Sequence, residues 1–189
     1  MVLESDKFMR EAIKEAGKAY NREEVPIGAV LVKDGKIIAR AYNLKEIKKD
    51  TTEHAEIRVI KKGSKKLGAW RLSDCELYTT LEPCPMCAGA IIQARIKKVY
   101  IGTMDEKTGA CGSVLNLFRD YKFNHNVEVE NGILENECRE ILQKFFKELR
   151  KKSRWDNGKW KEKEGNKKIF IYSFFIDCNF SIYFINGKI

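Results

Sequence analysis

The sequence predicts an α/β protein: a three-layer α-β-α sandwich around one central five-stranded sheet. Three observations carry this expectation. Helical and strand periodicities alternate through the first 150 or so residues. The strand-like runs are short and rich in β-branched and aromatic residues. At 189 residues the chain is near the size of one ordinary domain, and no internal repeat is evident.

The first element is an amphipathic helix over residues 6–22, where Phe8, Met9, Ala12, Ile13, Ala16, Ala19 and Tyr20 recur at the helical period and Ser5 and Asp6 are available as caps. Residues 28–32 and 37–42 flank Lys33-Asp34-Gly35-Lys36. An Asp-Gly pair between β-branched runs is a hairpin signal, because both residues tolerate the positive φ of a tight turn. A second helix is expected over 54–62, a strand over 75–81, a third helix over 84–94 and a strand over 97–101. A shorter helical stretch is expected over 112–118, then a strand over 125–129. Leu134, Cys138, Ile141, Leu142, Phe145, Phe146 and Leu149 mark a closing helix.

Composition narrows the function classes. A hydrophobic fraction of 43% and a charged fraction of 33% suit a globular protein in water. Residues 1–10 mix Glu4, Asp6, Lys7 and Arg10 with isolated apolar residues, unlike a signal peptide, so a cytoplasmic location is expected. Six cysteines form no regular disulfide framework, and only Cys84 and Cys87 are close. In a reducing compartment a close pair reads as metal-binding or catalytic. The net charge of +9 is compatible with a polyanionic partner, and between Lys144 and Lys163 nine Lys/Arg stand against three acids. The alternative for that run is a solvated helix face followed by a basic tail.

Two short motifs carry the chemistry: His54-Ala55-Glu56 and Pro83-Cys84-Pro85-Met86-Cys87, each opening an expected helix. Cys84 and Cys87, three apart in a first helical turn, can project both sulfurs to one side. The positive end of the helix there favours thiolates, the form that binds zinc. One His and two Cys supply three ligands of a tetrahedral zinc, and no convincing fourth is visible, which leaves a position for water. An open position implies catalysis, since zinc brings the pKa of its water toward neutrality. Glu56, two residues beyond His54, diverges from it on the helix and need not compete for the metal. It can take a proton from the water and deliver protons to a ring nitrogen and a departing ammonia. A lone Cys-x-x-Cys could also be a structural half-site or a redox pair, and a lone His-x-Glu says little; the combination is what is specific.

His-x-Glu followed by Pro-Cys-x-x-Cys is the known signature of zinc nucleobase deaminases. The likeness extends through residues 25–30 (Val-Pro-Ile-Gly-Ala-Val), Asn43, His54 to Ile57, residues 80–90 (Thr-Leu-Glu-Pro-Cys-Pro-Met-Cys-Ala-Gly-Ala), Ala94-Arg95-Ile96, Asp105, Lys107-Thr108-Gly109, Gly112-Ser113, Asn116-Leu117, Asn124-His125 and Phe145-Phe146. Over residues 8–152 the chain resembles the bacterial tRNA-specific adenosine deaminase family. The resemblance implies a cytidine-deaminase-like fold, a homodimer, one zinc (Zn2+) per subunit, and conversion of the wobble adenosine in the anticodon stem-loop of a tRNA to inosine. It makes His54, Cys84 and Cys87 the ligands, Glu56 the proton shuttle and Asn43 a base contact. Asp105, Lys107, Asn124 and Phe145 become contacts to flanking anticodon-loop nucleotides. Phe145 and Phe146 also lie on the apolar stripe of the last helix, so at least one belongs to the core.

Two departures from the family stand out. Glu53 precedes His54 where a small residue is usual, and an acid there could repel phosphate, alter local pKa values or simply face solvent. Residues 153–189 exceed what the deaminase domain, expected over 1–152, requires. Residues 153–168 are polar and charged, whereas 169–185 form an aromatic-rich apolar run, read as an extra strand or an ill-ordered, association-prone segment of unknown role rather than a membrane span. Two rival functions remain: a deaminase of a free base or nucleotide such as guanine, cytosine or deoxycytidylate, and a non-catalytic RNA-binding module whose structural zinc takes Cys111 or His125 as fourth ligand.

Overall fold

The period-2 alternation along the strands separates two cores on opposite faces of one sheet. A computed structural model describes residues 3–152, 155–156 and 159–160, and the chain divides into two units, Met1–Phe145 and Phe146–Ile189. In the first unit, β1 (Gly28–Lys33), β2 (Lys36–Tyr42), β3 (Cys75–Leu81), β4 (Lys98–Thr103) and β5 (Glu128–Asn131) form a five-stranded sheet in the order β2-β1-β3-β4-β5. β1 pairs antiparallel with β2 and β3, while β3–β4 and β4–β5 are parallel. The Asp-Gly hairpin forms as expected: Lys33 pairs with Lys36, and Asp34 and Gly35 take φ of 49° and 68°.

Val30, Val32 and Tyr78 pack with Phe8, Met9 and Ala12 of α1 (Glu4–Tyr20) and Cys138 of α5 (Glu135–Lys152). The alternate residues Ala29, Leu31 and Leu77 pack with Ala55 and Val59 of α3 (Ala55–Leu67) and with Ala88, Ile91 and Ile92 of α4 (Pro85–Gln93). These are the three layers. Each fully buried large aliphatic contributes roughly 1.5–3 kcal/mol relative to exposure, so both faces are needed to hold the sheet. α1 crosses β1 so closely that a Cβ on Gly28 would overlap the Ala12 carbonyl.

Several boundaries differ from the sequence reading. α1 begins at Glu4, with Leu3 in the cap position, so Ser5 and Asp6 lie inside the first turn rather than capping it; Glu4 and Asp6 still meet the positive helix end. α3 continues to Leu67 and stops at Gly68, whose left-handed φ of 64° ends the helix. A single turn, α2 (Lys45–Lys48), was not expected. Residues 112–118 form no helix: Gly112 at φ 144°, the Cys111–Asn116 bridge and hydrogen bonds from the amides of Cys111 and Ser113 to Glu82 fix a turn incompatible with a helical ladder. β5 starts at Glu128 rather than 125, where its partner strand begins: Glu128 pairs with Lys98, and the His125 ring bonds the Ile96 carbonyl from Nε2 at 2.7 Å.

In the second unit, β6 (Trp155–Asp156) pairs antiparallel with β7 (Lys159–Trp160). The apolar run 169–185, with the strand and association readings attached to it, lies outside the described residues, as does most of the proposed 153–189 extension. Among the described residues no helix is long and apolar enough to cross a membrane.

Candidate metal centre and active site

Two helix starts bring the motif residues together. β3 runs out through Glu82 and Pro83 into Cys84, the N-cap of α4, with Pro85 at the first helical position where its missing N–H costs nothing. His54 is the N-cap of α3 in extended geometry, its carbonyl accepting from the Arg58 amide. Both positive helix ends therefore point at one spot. Cys84 Sγ and Cys87 Sγ lie 3.7 and 3.6 Å from His54 Nδ1. The three ligand atoms fall within 4.8 Å of one another, a group that can hold a metal ion. Among the described residues no fourth His, Cys, Asp or Glu joins this group.

Each group in the site shifts for a stated cause. The Cys87 hydrogen bond, with His54 beside it, pulls the Cys84 thiol down to about 4 against the opposing effect of burial. The same bond and burial push Cys87 up. His54 is raised, first by its contact with Cys84. Glu56 sits in the first turn of α3 at 3% exposure, and burial lifts its carboxyl to about 7 although His54 draws it down. Its Oε2 is buried and has no hydrogen-bond partner, which is costly unless something else occupies that space.

The remaining sequence-predicted contacts are more scattered. Asn43, buried at the end of β2, donates from Nδ2 to Glu24 at 3.1 Å, and the adjacent Leu44 amide bonds the Glu53 carbonyl, tying Asn43 to the approach to His54. Asp105 spends its carboxylate on its own turn, accepting from the amides of Lys107 and Thr108 and from Thr108 Oγ1. Lys107 is exposed on that turn, which abuts Pro83 through the 2.9 Å bond from the Ala110 amide. Asn124 lines a small pocket of about 150 Å³ with Gln93, Arg95 and Phe123, at the far end of α4 from Cys84. Phe145 is 7% exposed, its ring set edge-on to Tyr20 with centroids 5.8 Å apart. That contact packs α5 against α1.

Three acids were not assigned site roles by the sequence reading. Glu24, fully buried, accepts from Asn43 and from the amides of Glu46 and Ile47. Glu82, also buried, accepts from Asp105, Cys111 and Ser113. The unusual Glu53 is neutralised: its Oε2 lies 2.9 Å from Arg58 Nε, with the two side chains 20% and 15% exposed. Arg58 also bonds the Tyr42 carbonyl and stacks over the Tyr42 ring. The available signal for Glu24 and Glu82 was position: each is an acid immediately before a proline-containing turn leading into or out of a strand.

A family model described as MafB19-like deaminase matches residues 3–150, spanning every element from α1 through most of α5. The chain is 54% identical over 147 residues to the tRNA-specific adenosine deaminase of Bacillus subtilis (strain 168), covering 78% of this chain and 91% of that one. The chain belongs to the tRNA-specific adenosine deaminase family. A second member, from Haemophilus influenzae, is 46% identical over 150 residues, covering 79% and 87% of the two chains. A solved structure from a study of A-to-I editing by tRNA:A34 deaminases at the wobble position of transfer RNA superimposes with a TM-score of 0.70 at 48% identity, over 72% of this chain and 99% of that one. In this deaminase the cytidine-deaminase-like sheet and helices are those expected from the sequence, with the metal-binding group at the starts of α3 and α4.

Proposed function

We propose that the protein hydrolyses the wobble adenosine of a tRNA anticodon to inosine, as a cytoplasmic homodimer with one zinc per subunit. The observation that carries this reading is the His54, Cys84 and Cys87 group with the buried Glu56 carboxylate outside it, one of whose oxygens lacks a hydrogen-bond partner among the described residues. The separations suit zinc: bonds of about 2.3 Å to sulfur and 2.0–2.1 Å to nitrogen at tetrahedral angles place N and S roughly 3.6 Å apart, against 3.7 and 3.6 Å here. Cys111 is spent on the Pro83 carbonyl and His125 on Ile96, which speaks against a closed structural site. His54, Cys84 and Cys87 would hold the ion, which when bound supplies a Lewis acid that eases deprotonation of water near neutral pH.

The chain's own residues do the rest. Glu56 accepts a proton at its free carboxylate oxygen, then delivers protons to the purine ring nitrogen and to the leaving amine, so that adenosine and water become inosine and ammonia. Burial of Glu56 keeps bulk water from competing for that oxygen. Asn43, its amide nitrogen fixed by Glu24, reads the base edge. Asp105 and Lys107 offer contacts from the loop beside Pro83. Asn124 shares a pocket with Gln93 at the end of α4 away from Cys84, a helix about 13 Å long, so it serves a substrate reaching beyond one subunit's metal group, in keeping with a dimer. The nearly all-apolar α4, with Gly89 open to solvent, suits a helical face between two copies.

The test is incubation of the zinc-loaded full chain with an anticodon stem-loop carrying adenosine at the wobble position, followed by nucleoside analysis. Inosine is expected from the stem-loop, with little turnover of free adenosine or cytidine. Equal rates on free nucleosides would sink the tRNA assignment and favour a free-base or nucleotide deaminase.

A further inference from the structure

A carboxylate at the heart of the loop beside the metal group has no role in the chemistry described above. Glu82 is 2% exposed, and its own amide is tied to the Thr103 carbonyl at 2.9 Å. Oε2 accepts from the Asp105 amide at 2.9 Å and from the Ser113 hydroxyl; Oε1 accepts from the amides of Cys111 at 2.8 Å and Ser113 at 3.1 Å. All four donors belong to one loop, Asp105 to Ser113. Among the described residues no cation pairs with Glu82, so its binding capacity goes to that loop. The loop closes around it so tightly that a Cβ on Gly109 would overlap the carboxylate, and Gly112 takes a φ of 144° to bring the Ser113 amide inward.

We infer that Glu82 is a positioning residue: its carboxylate clamps the Asp105–Ser113 loop to the Pro83–Cys84 turn and so fixes the substrate-facing wall of the site. The same loop carries exposed Glu106, Lys107 and Thr108 on its outer side, while the Ala110 amide and the Cys111 thiol reach the Pro83 carbonyl on its inner side. One residue thus links the backbone that presents Cys84 to the backbone that presents Asp105 and Lys107. Only a carboxylate suits this place. It accepts on both oxygens, whereas glutamine would set an NH2 against at least one backbone N–H. The inference rests on the tRNA reading for the identity of the substrate, but not for the clamp itself.

The experiment compares Glu82→Gln and Ser113→Ala with the unmodified zinc-loaded full chain by hydrogen exchange, bound zinc, and kcat and KM on the stem-loop. Glu82→Gln is expected to speed exchange of the Asp105, Cys111 and Ser113 amides by at least about tenfold, as loss of more than one net hydrogen bond requires, with other segments unaffected and one zinc retained. KM should rise about tenfold while kcat changes less than threefold; Ser113→Ala should do the same on a smaller scale, about threefold in KM. A role in general stability alone would instead accelerate exchange throughout and leave KM unmoved, and that result overturns the proposal. If Glu82→Gln does not fold, Ser113→Ala decides: unchanged loop exchange and unchanged KM refute the clamp. If the unmodified protein leaves the stem-loop untouched, the substrate reading fails, and loop exchange alone judges the clamp.

Discussion

Replacing Glu56 by glutamine removes one proton-carrying atom and almost nothing else. The side chain is 3% exposed and sits in the first turn of α3, so an isosteric amide fills the same volume and opens no cavity. Oε2 has no hydrogen-bond partner among the described residues, so an amide nitrogen placed there displaces none, and the carboxyl's contacts with its own amide and with Cys87 fall to the other oxygen. Glu56 also lies outside the metal-binding group, so zinc should stay. What is lost is general acid–base catalysis, about 10²–10⁴-fold in rate, or roughly 3–5 kcal/mol of barrier. Because the site is buried, solvent cannot take over the relay, which places the expected loss at the upper end, near 10⁴-fold in kcat on the stem-loop. Single-turnover deamination should be measured alongside zinc per chain by elemental analysis. Activity within tenfold of the unmodified protein, with zinc retained, would refute the shuttle; loss of zinc together with activity would make Glu56 a ligand instead.

Other outcomes follow from the same structure. Chelation, or Cys87→Ser, should abolish deamination; at zinc a thousandfold above its Kd the metal contributes about 4 kcal/mol, so calorimetry should show a melting temperature lower by about 8–16 °C. Gly28→Ala drives a methyl into the Ala12 carbonyl where α1 crosses β1, and urea unfolding should report a loss of about 1–3 kcal/mol. Glu53→Ala leaves the half-buried Arg58 without its carboxylate, at a cost of about 1–2 kcal/mol seen as a lower urea midpoint with unchanged slope, and Arg58→Met in the same background should cost less than it does alone. Burial pushes the Cys138 thiol up to about 12 and Cys111 up as well, so at pH 8 their thiolate fractions are about 10⁻⁴ or less; peptide mapping after iodoacetamide should find both unmodified.

What was legible in the sequence was what depends on neighbours a few residues away. The metal group could be read because His54-x-Glu56 and Cys84-x-x-Cys87 place their side chains by helical spacing alone, and the Asp34-Gly35 hairpin because its φ values are local. The layers followed from alternation such as Ala29/Leu31 against Val30/Val32. What could not be read depends on partners far along the chain. Glu82 takes donors 23 to 31 residues away, which both makes it a clamp and turns 112–118 away from helix. Glu24, before β1, meets Asn43, after β2, 19 residues away in the same fashion. Phe145 followed from its place on the apolar stripe of the last helix, which turns its ring toward Tyr20.

The outer strands of the sheet carry charge where another chain would have to pair. β5 is exposed along its length, with Glu128 and Glu130 among its four residues and Lys98 reaching across to Glu130, while β2 at the other border presents Lys36 and Arg40. Laying a second copy alongside either border would crowd like charges against one another and strand them out of water. Growth of the sheet from protein to protein along these strands is thereby discouraged.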